Sequence, residues 1–79
     1  MEFCHKIVCS SSHRDQDGRM HPIRKNVLFY SNDIVRCRYL LAEFYKIRST
    51  DSSYSDCSQL ENGSFSVSRD NIQYTYSVE

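Results

Sequence analysis

The longest regular pattern of apolar positions lies in residues 26–48, NVLFYSNDIVRCRYLLAEFYKIR. Its first part, VLFY, is a continuous apolar run that indicates a short strand. Next, Ser31 or Asn32 is predicted to cap the first turn of a helix with its side-chain oxygen, and Asp33 adds negative charge at the positive end of the helix dipole. From there apolar side chains recur every three or four positions, which predicts one amphipathic helix over about residues 32–48.

The predicted helix has two apolar faces of unequal width. A narrow stripe on the solvent side contains Val35, Tyr39 and Ala42. These three residues are either scattered surface side chains, which are common, or a surface on which a partner docks. The wide face is expected to lie in the core and comprises Ile34, Cys37, Leu40, Leu41, Phe44, Tyr45 and Ile47.

Alternating side chains before the helix predict a hairpin. Residues 1–10 have the alternation of a first strand. Residues 11–21 are polar and include the turn-forming segment DQDG, so they are predicted to be a loop. A second strand is expected at residues 25–30, after Pro22, and it completes an N-terminal hairpin over residues 1–31.

Two turn signals organise the C-terminal part of the chain. Residues 49–57 are rich in Ser and Asp and predict an irregular linker. The dipeptides Asn62-Gly63 and Asp70-Asn71 then suit two-residue hairpin turns, which predicts a β-meander. The register set by these turns places apolar side chains opposite one another, pairing Leu60 with Phe65, Val67 with Tyr74, and Phe65 with Tyr76.

Taken in order, these elements predict a single small α+β domain over residues 1–79. Its antiparallel sheet has four or five strands in the order ββαββ or ββαβββ, and the meander of residues 58–79 supplies the C-terminal strands. The amphipathic helix is expected to pack on one face of the sheet, since each apolar surface needs the other for burial.

Charge is distributed unevenly although it sums to zero. Residues 1–48 contain nine Lys and Arg against five acidic residues, whereas residues 49–79 contain one Arg against five acidic residues. Either the two halves complement each other in the fold, or the asymmetry orients a charged partner. Arg19 and Arg24 fall on the predicted hairpin loop and its edge, where binding residues are common, and are candidate partner contacts.

Cys4, Cys9 and His13 are the candidates for a metal site, because thiolate and imidazole groups bind zinc. No Cys-x-x-Cys motif is present, and the odd separation of Cys4 and Cys9 places them on opposite faces of a strand. No metal and no other cofactor is therefore predicted, with a zinc-stabilised module as an alternative. The cysteines are expected to be reduced thiols.

Other classes of function find little support in the sequence. Gly18 and Gly63 are the only glycines, and no phosphate loop, dinucleotide fingerprint or nucleophile elbow occurs. Cys37 is expected to be a core residue, so we predict that the chain is not an enzyme. Basic residues beside Tyr39 leave nucleic-acid binding as an alternative, which the zero net charge argues against. The absence of a signal peptide and of a membrane-length apolar stretch predicts a cytoplasmic protein.

Residues 27–37 also resemble a known family. The segments VLFYS and DIVRC, from Val27 to Cys37 with Asn32 between them, are similar to the core of a short early-expressed host-takeover protein of T7-like bacteriophages. The family member with this pattern inhibits bacterial cell division by binding the tubulin-like protein FtsZ. The resemblance implies a phage-type inhibitor in the bacterial host cytoplasm. Its target would be FtsZ or, by analogy with other small phage inhibitors, a CRISPR or restriction complex.

A stoichiometric inhibitor needs a recognition surface rather than a catalytic centre. The predicted contacts are Val35, Arg36 and Tyr39 on the helix, together with Arg19 and Arg24. Tyr and Arg are enriched among the residues that contribute most to binding energy at interfaces. A homodimer formed through the same helix stripe is an alternative.

Overall fold

Five antiparallel strands and one helix make up residues 4–79, the part of the chain that the computed structural model describes. The elements are β1 (His5–Arg14), β2 (Met20–Ser31), α1 (Ile34–Thr50), β3 (Ser55–Gln59), a 3-10 turn (Glu61–Gly63), β4 (Phe65–Arg69) and β5 (Ile72–Val78). The strands lie in the order β2-β1-β5-β4-β3. The helix packs on one face of this sheet, so the predicted α+β fold is confirmed in its five-strand form.

The N-terminal hairpin has longer strands and a shorter loop than the sequence predicts. β1 continues through Ser11, Ser12 and His13, and the prediction of a loop there is wrong. β1 lies between β2 and β5 and pairs with both along this stretch, so backbone hydrogen bonds on two sides hold polar residues in a strand. Only residues 15–19 connect the two strands. The predicted beginning of the first strand, residues 1–3, lies outside the described residues.

Pro22 lies inside β2, although prolines lack the N–H group that strand pairing uses. Such prolines are confined to edge strands and bulges. β2 meets both conditions, because it is an edge strand and its register with β1 shifts twice. The two shifts leave Ile23 and Leu28 without a residue opposite them in β1.

Asp33 begins α1 as its N-cap. The Asp33 carboxylate accepts hydrogen bonds from the backbone N–H groups of Val35 at 3.0 Å and Arg36 at 3.3 Å. The backbone N–H of Asp33 in turn donates to the Ser31 hydroxyl at 3.0 Å. These bonds satisfy donors that a helix start leaves unpaired, so the predicted polar cap is present, but the capping residue is Asp33 and not Ser31 or Asn32.

The hydrophobic core lies between α1 and the inner face of the sheet. Ile47 is 55% exposed, so its predicted place in the core is wrong. It follows Cys37 by ten residues, which turns it about 80° around the helix axis, to the margin of the buried stripe. Leu40, Phe44 and Tyr45 pack against the core as predicted. The buried cluster comprises Ile7, Cys37, Leu41, Phe65, Val67 and Tyr76.

The C-terminal strands confirm one predicted turn and correct the other. At the Asp70-Asn71 turn both residues have positive φ, and Val67 pairs with Tyr74 as predicted, as does Phe65 with Tyr76. The predicted pairing of Leu60 with Phe65 is wrong. Gln59 occupies that place, because the 3-10 turn lengthens the connection and leaves Leu60 49% exposed.

Strand β3 lies partly within residues 49–57, the stretch predicted to be an irregular linker. Its residues are mostly Ser and Asp, which have low strand propensity, so the local sequence does not predict a strand. Asp56 also has a φ of 52°, which is outside the range of a regular strand. β3 exists because the exposed edge of β4 offers backbone hydrogen-bonding groups to the returning chain.

Candidate partner-binding surface

Val35 and Tyr39 stand out on the solvent side of α1. Val35 is 70% exposed and Tyr39 is 65% exposed, more than any other large hydrophobic residue among those described. They are one helical turn apart, so their side chains are neighbours on the helix surface. Ala42, the third residue of the predicted stripe, is also exposed. The helical period thus leaves an apolar strip that the core does not use.

A shallow depression lies at the N-terminal half of α1, next to this strip. It is lined by Asp33, Val35, Arg36, Tyr39 and Leu40. Leu40 is half-buried and gives the depression an apolar side, while the other four residues form its exposed rim. We call Val35, Arg36 and Tyr39 the helix patch. The structure therefore brings three of the five predicted contact residues together.

Arg36 is held on the helix patch by an aromatic ring of the sheet. Its guanidinium carbon lies 6.0 Å from the centroid of the Phe29 ring, within the range of a cation–π contact. Phe29 belongs to β2 and packs against the core, so the contact restrains Arg36 without neutralising its charge. A partner that approaches the helix patch therefore meets a positive charge close to two apolar side chains.

Arg19 and Arg24 lie away from the helix patch. Arg19 is in the hairpin loop, and β2 separates that loop from the start of α1 by about 35 Å at 3.3 Å per residue. Arg24 lies within β2, although the sequence places it at the edge of a long loop. The five predicted contacts therefore do not form one surface, because Arg19 and Arg24 lie along the hairpin and away from the helix patch.

Asp15 organises the hairpin loop that carries Arg19. One carboxylate oxygen accepts hydrogen bonds from the N–H groups of Asp17 and Arg19, each at 2.9 Å. The other lies 2.7 Å from Nε2 of His21. The hydrogen bond to His21, aided by those from the backbone, lowers the pKa of Asp15. The loop is therefore locally ordered rather than a long free connection.

Strand β2 exposes a group of apolar residues that the sequence reasoning missed. The run VLFY predicts a strand, but not that the strand lies at the sheet edge. Pro22 and the two register shifts interrupt the free edge of β2, which disfavours pairing with a strand from another chain. The exposed residues are Met20, Ile23, Val27, Leu28 and Tyr30.

The metal candidates do not converge. Cys4 is exposed near the start of β1, where its backbone N–H donates to Oδ1 of Asn32 at 2.9 Å. Cys9 is half-buried and His13 is four residues further along the same regular strand, about 13 Å away. Zinc ligands must lie within about 2.3 Å of the ion. Residues 4–79 contain no group of three or more His, Cys, Asp or Glu that could hold a metal ion.

Cys9 belongs instead to a polar cluster near the C-terminal end of α1. The Arg48 side chain donates from Nε to the Tyr76 hydroxyl at 3.1 Å, and its guanidinium carbon lies 5.2 Å from the centroid of the Tyr54 ring. Burial raises the pKa of the Cys9 thiol, with partial compensation from the Tyr76 hydroxyl and the Arg48 charge. All four cysteines are free, and Cys37 is fully buried.

No helix within residues 4–79 is both long enough and apolar enough to cross a membrane. A comparison of the chain with protein-family models, curated protein sequences and solved structures found no match. The similarity of residues 27–37 to the phage family therefore stays a prediction.

Proposed function

We propose that this chain is a small phage-type inhibitor that binds a bacterial host protein stoichiometrically and blocks its function by covering a surface. The observation that carries the proposal is the exposure of Val35 and Tyr39 side by side on a well-capped helix. An amphipathic helix that presents apolar side chains to solvent is a common recognition element. The chain is proposed to act without catalysis and without a cofactor, in the cytoplasm of the host.

The first candidate target is FtsZ, which the resemblance of Val27 to Cys37 suggests. The second is a defence complex of the CRISPR or restriction type. The resembling segment covers the end of β2, the cap of α1 and its first turn, so it overlaps the helix patch at Val35 and Arg36. A shared recognition surface would explain why the similarity is concentrated there.

Tyr39 is expected to be the main anchor of the interface. A large aromatic side chain that becomes buried in a partner often contributes about 2 kcal/mol or more on truncation to Ala. That value corresponds to a roughly 30-fold loss of affinity. Arg36 is expected to contribute less through charge, because a pair at the rim of an interface remains partly solvated.

The direct test measures binding of purified FtsZ to the wild-type chain and to Tyr39→Ala by isothermal titration calorimetry. Leu60→Ala is the matched control, because Leu60 is also a half-exposed apolar residue and follows β3 at the far edge of the sheet. We expect one-to-one binding, a roughly 30-fold weaker complex for Tyr39→Ala, and wild-type affinity for Leu60→Ala. Equal affinity for all three proteins would exclude the helix patch as the contact.

A pull-down from nuclease-treated bacterial lysate tests the second target and the nucleic-acid alternative together. A near-stoichiometric defence complex that survives nuclease and is lost with Tyr39→Ala supports an inhibitor of that complex. Recovery of nucleic acid alone, lost on nuclease treatment, supports the alternative instead. Exposed arginines such as Arg19, Arg36 and Arg38 are the feature that would favour nucleic acid.

A further inference from the structure

Positively charged side chains flank the helix patch, and their charge indicates the kind of partner that the patch would bind. Arg36 and Arg38 are both exposed in the first two turns of α1, on either side of the strip formed by Val35 and Tyr39. Neither arginine forms an ion pair within residues 4–79. The helix patch and its flank therefore present two arginines that have no ion-pair partner in the described part of the chain.

The nearby acidic groups offset these charges only in part. The Asp33 carboxylate lies at the rim of the same depression and keeps its negative charge while it accepts hydrogen bonds from two N–H groups of the first helical turn, but it forms no ion pair with Arg36. The Glu43 carboxylate lies 3.4 Å from the Lys46 ammonium, one turn further along the helix. Only one ion pair in the described part of the chain, Lys25 with Glu79 at 2.8 Å, joins the basic first 48 residues to the acidic remainder. The acidic C-terminal part thus does not neutralise this end of α1.

We infer that the segment docking on the helix patch is an acidic protein segment, with carboxylates placed beside an apolar side chain. The apolar side chain would lie against Val35, Tyr39 and Leu40, and the carboxylates would face Arg36 and Arg38. This inference rests on the proposed function and specifies its partner. Charge complementarity of this kind speeds association and selects among partners more than it adds affinity.

Two other occupants fit the same surface less well. A second copy of the chain, docked symmetrically, would bring its own Arg36 and Arg38 against this pair, and like charges facing one another oppose association. Nucleic acid would satisfy the arginines but gives no role to Val35 at the centre of the surface. Binding along a phosphate backbone also calls for an extended basic stripe, whereas Glu43 interrupts the basic residues on this side of the helix.

The experiment selects binders from a random peptide library displayed on phage, using the wild-type chain as bait and Tyr39→Ala for counter-selection. We expect the selected peptides to be rich in Asp and Glu next to Phe, Leu or Trp. Their affinity should fall about fivefold with Arg38→Glu at low salt, and this difference should shrink in high salt. Arg14→Glu is the matched control, since it changes the net charge equally at the far end of β1.

The outcomes separate the inference from the proposed function. Peptides that need Tyr39 but lack acidic residues, or that bind Arg38→Glu and wild type equally, overturn the acidic partner and leave the binding surface in place. Peptides that are enriched only when the counter-selection is omitted bind regardless of Tyr39 and overturn both. Failure to enrich any peptide also overturns the acidic partner, as does stronger binding of a single-stranded oligonucleotide through Arg38. A dimer of this chain, seen by sedimentation and lost with Tyr39→Ala, identifies a second copy as the occupant.

Discussion

Arg48 joins the C-terminal end of α1 to the sheet, and its removal gives a sharp test of this structure. Its Nε donates to the Tyr76 hydroxyl at 3.1 Å, and its guanidinium lies over the Tyr54 ring at 5.2 Å. A hydrogen bond from a charged donor contributes about 1.5 kcal/mol, and a partly exposed cation–π contact contributes about 0.5 kcal/mol. We therefore expect Arg48→Ala to lower the free energy of unfolding by about 2 kcal/mol.

Tyr76→Phe isolates the hydrogen bond from the packing. The ring of Tyr76 stacks on Phe65, with centroids 4.7 Å apart, and this contact survives loss of the hydroxyl. We expect Tyr76→Phe to lower the free energy of unfolding by about 1.5 kcal/mol, since one partner of a charged hydrogen bond is lost. The double variant of Arg48 and Tyr76 should lose about 1.5 kcal/mol less than the sum of the single changes, because the shared bond is lost only once.

Urea unfolding followed by circular dichroism measures all three variants. A chain of this length is expected to have a free energy of unfolding of about 4–12 kcal/mol, so a change of about 2 kcal/mol shifts the midpoint clearly. Lys46→Ala is the control, because its exposed ion pair with Glu43 should contribute less than about 0.5 kcal/mol. A coupling energy below about 0.3 kcal/mol between Arg48 and Tyr76 would refute the reasoning.

Three further experiments test the helix cap, the hairpin loop and the cysteine thiols. Asp33→Ala should lower the free energy of unfolding by about 1 kcal/mol in the same urea assay, through loss of the helix cap. Hydrogen bonding, chiefly to His21, lowers the pKa of Asp15. The hairpin loop should therefore stay ordered at pH values above the usual carboxyl pKa, and it should become more mobile as the pH falls through the lowered pKa. Amide exchange measured by NMR should show this loosening, and Asp15→Asn should abolish the pH response; an unchanged response contradicts the assignment. Iodoacetamide should label exposed Cys4 first and buried Cys37 last, as mass spectrometry would show, and the reverse order contradicts the packing.

The part of the candidate site that lies on the helix could be predicted from the sequence. The helical period separates Val35 and Tyr39 from the core face, and exposure of both residues follows from that period alone. The relation of these residues to Arg19 could not be predicted. It depends on the length of β2, and that length depends on pairing with β1, a contact between residues distant in sequence.

Local chemistry determined the cap at Asp33, the helix that follows it and the Asp70-Asn71 turn, because each depends on groups only a few residues apart. Tertiary structure decided the rest. The serines of β1 and β3 form strands only because neighbouring strands offer them backbone hydrogen bonds. Pro22 is tolerated only because β2 lies at the edge. The pattern of apolar and polar side chains predicts which face of one helix or strand is buried. The order of the strands and their lengths are set by backbone pairing between segments distant in sequence.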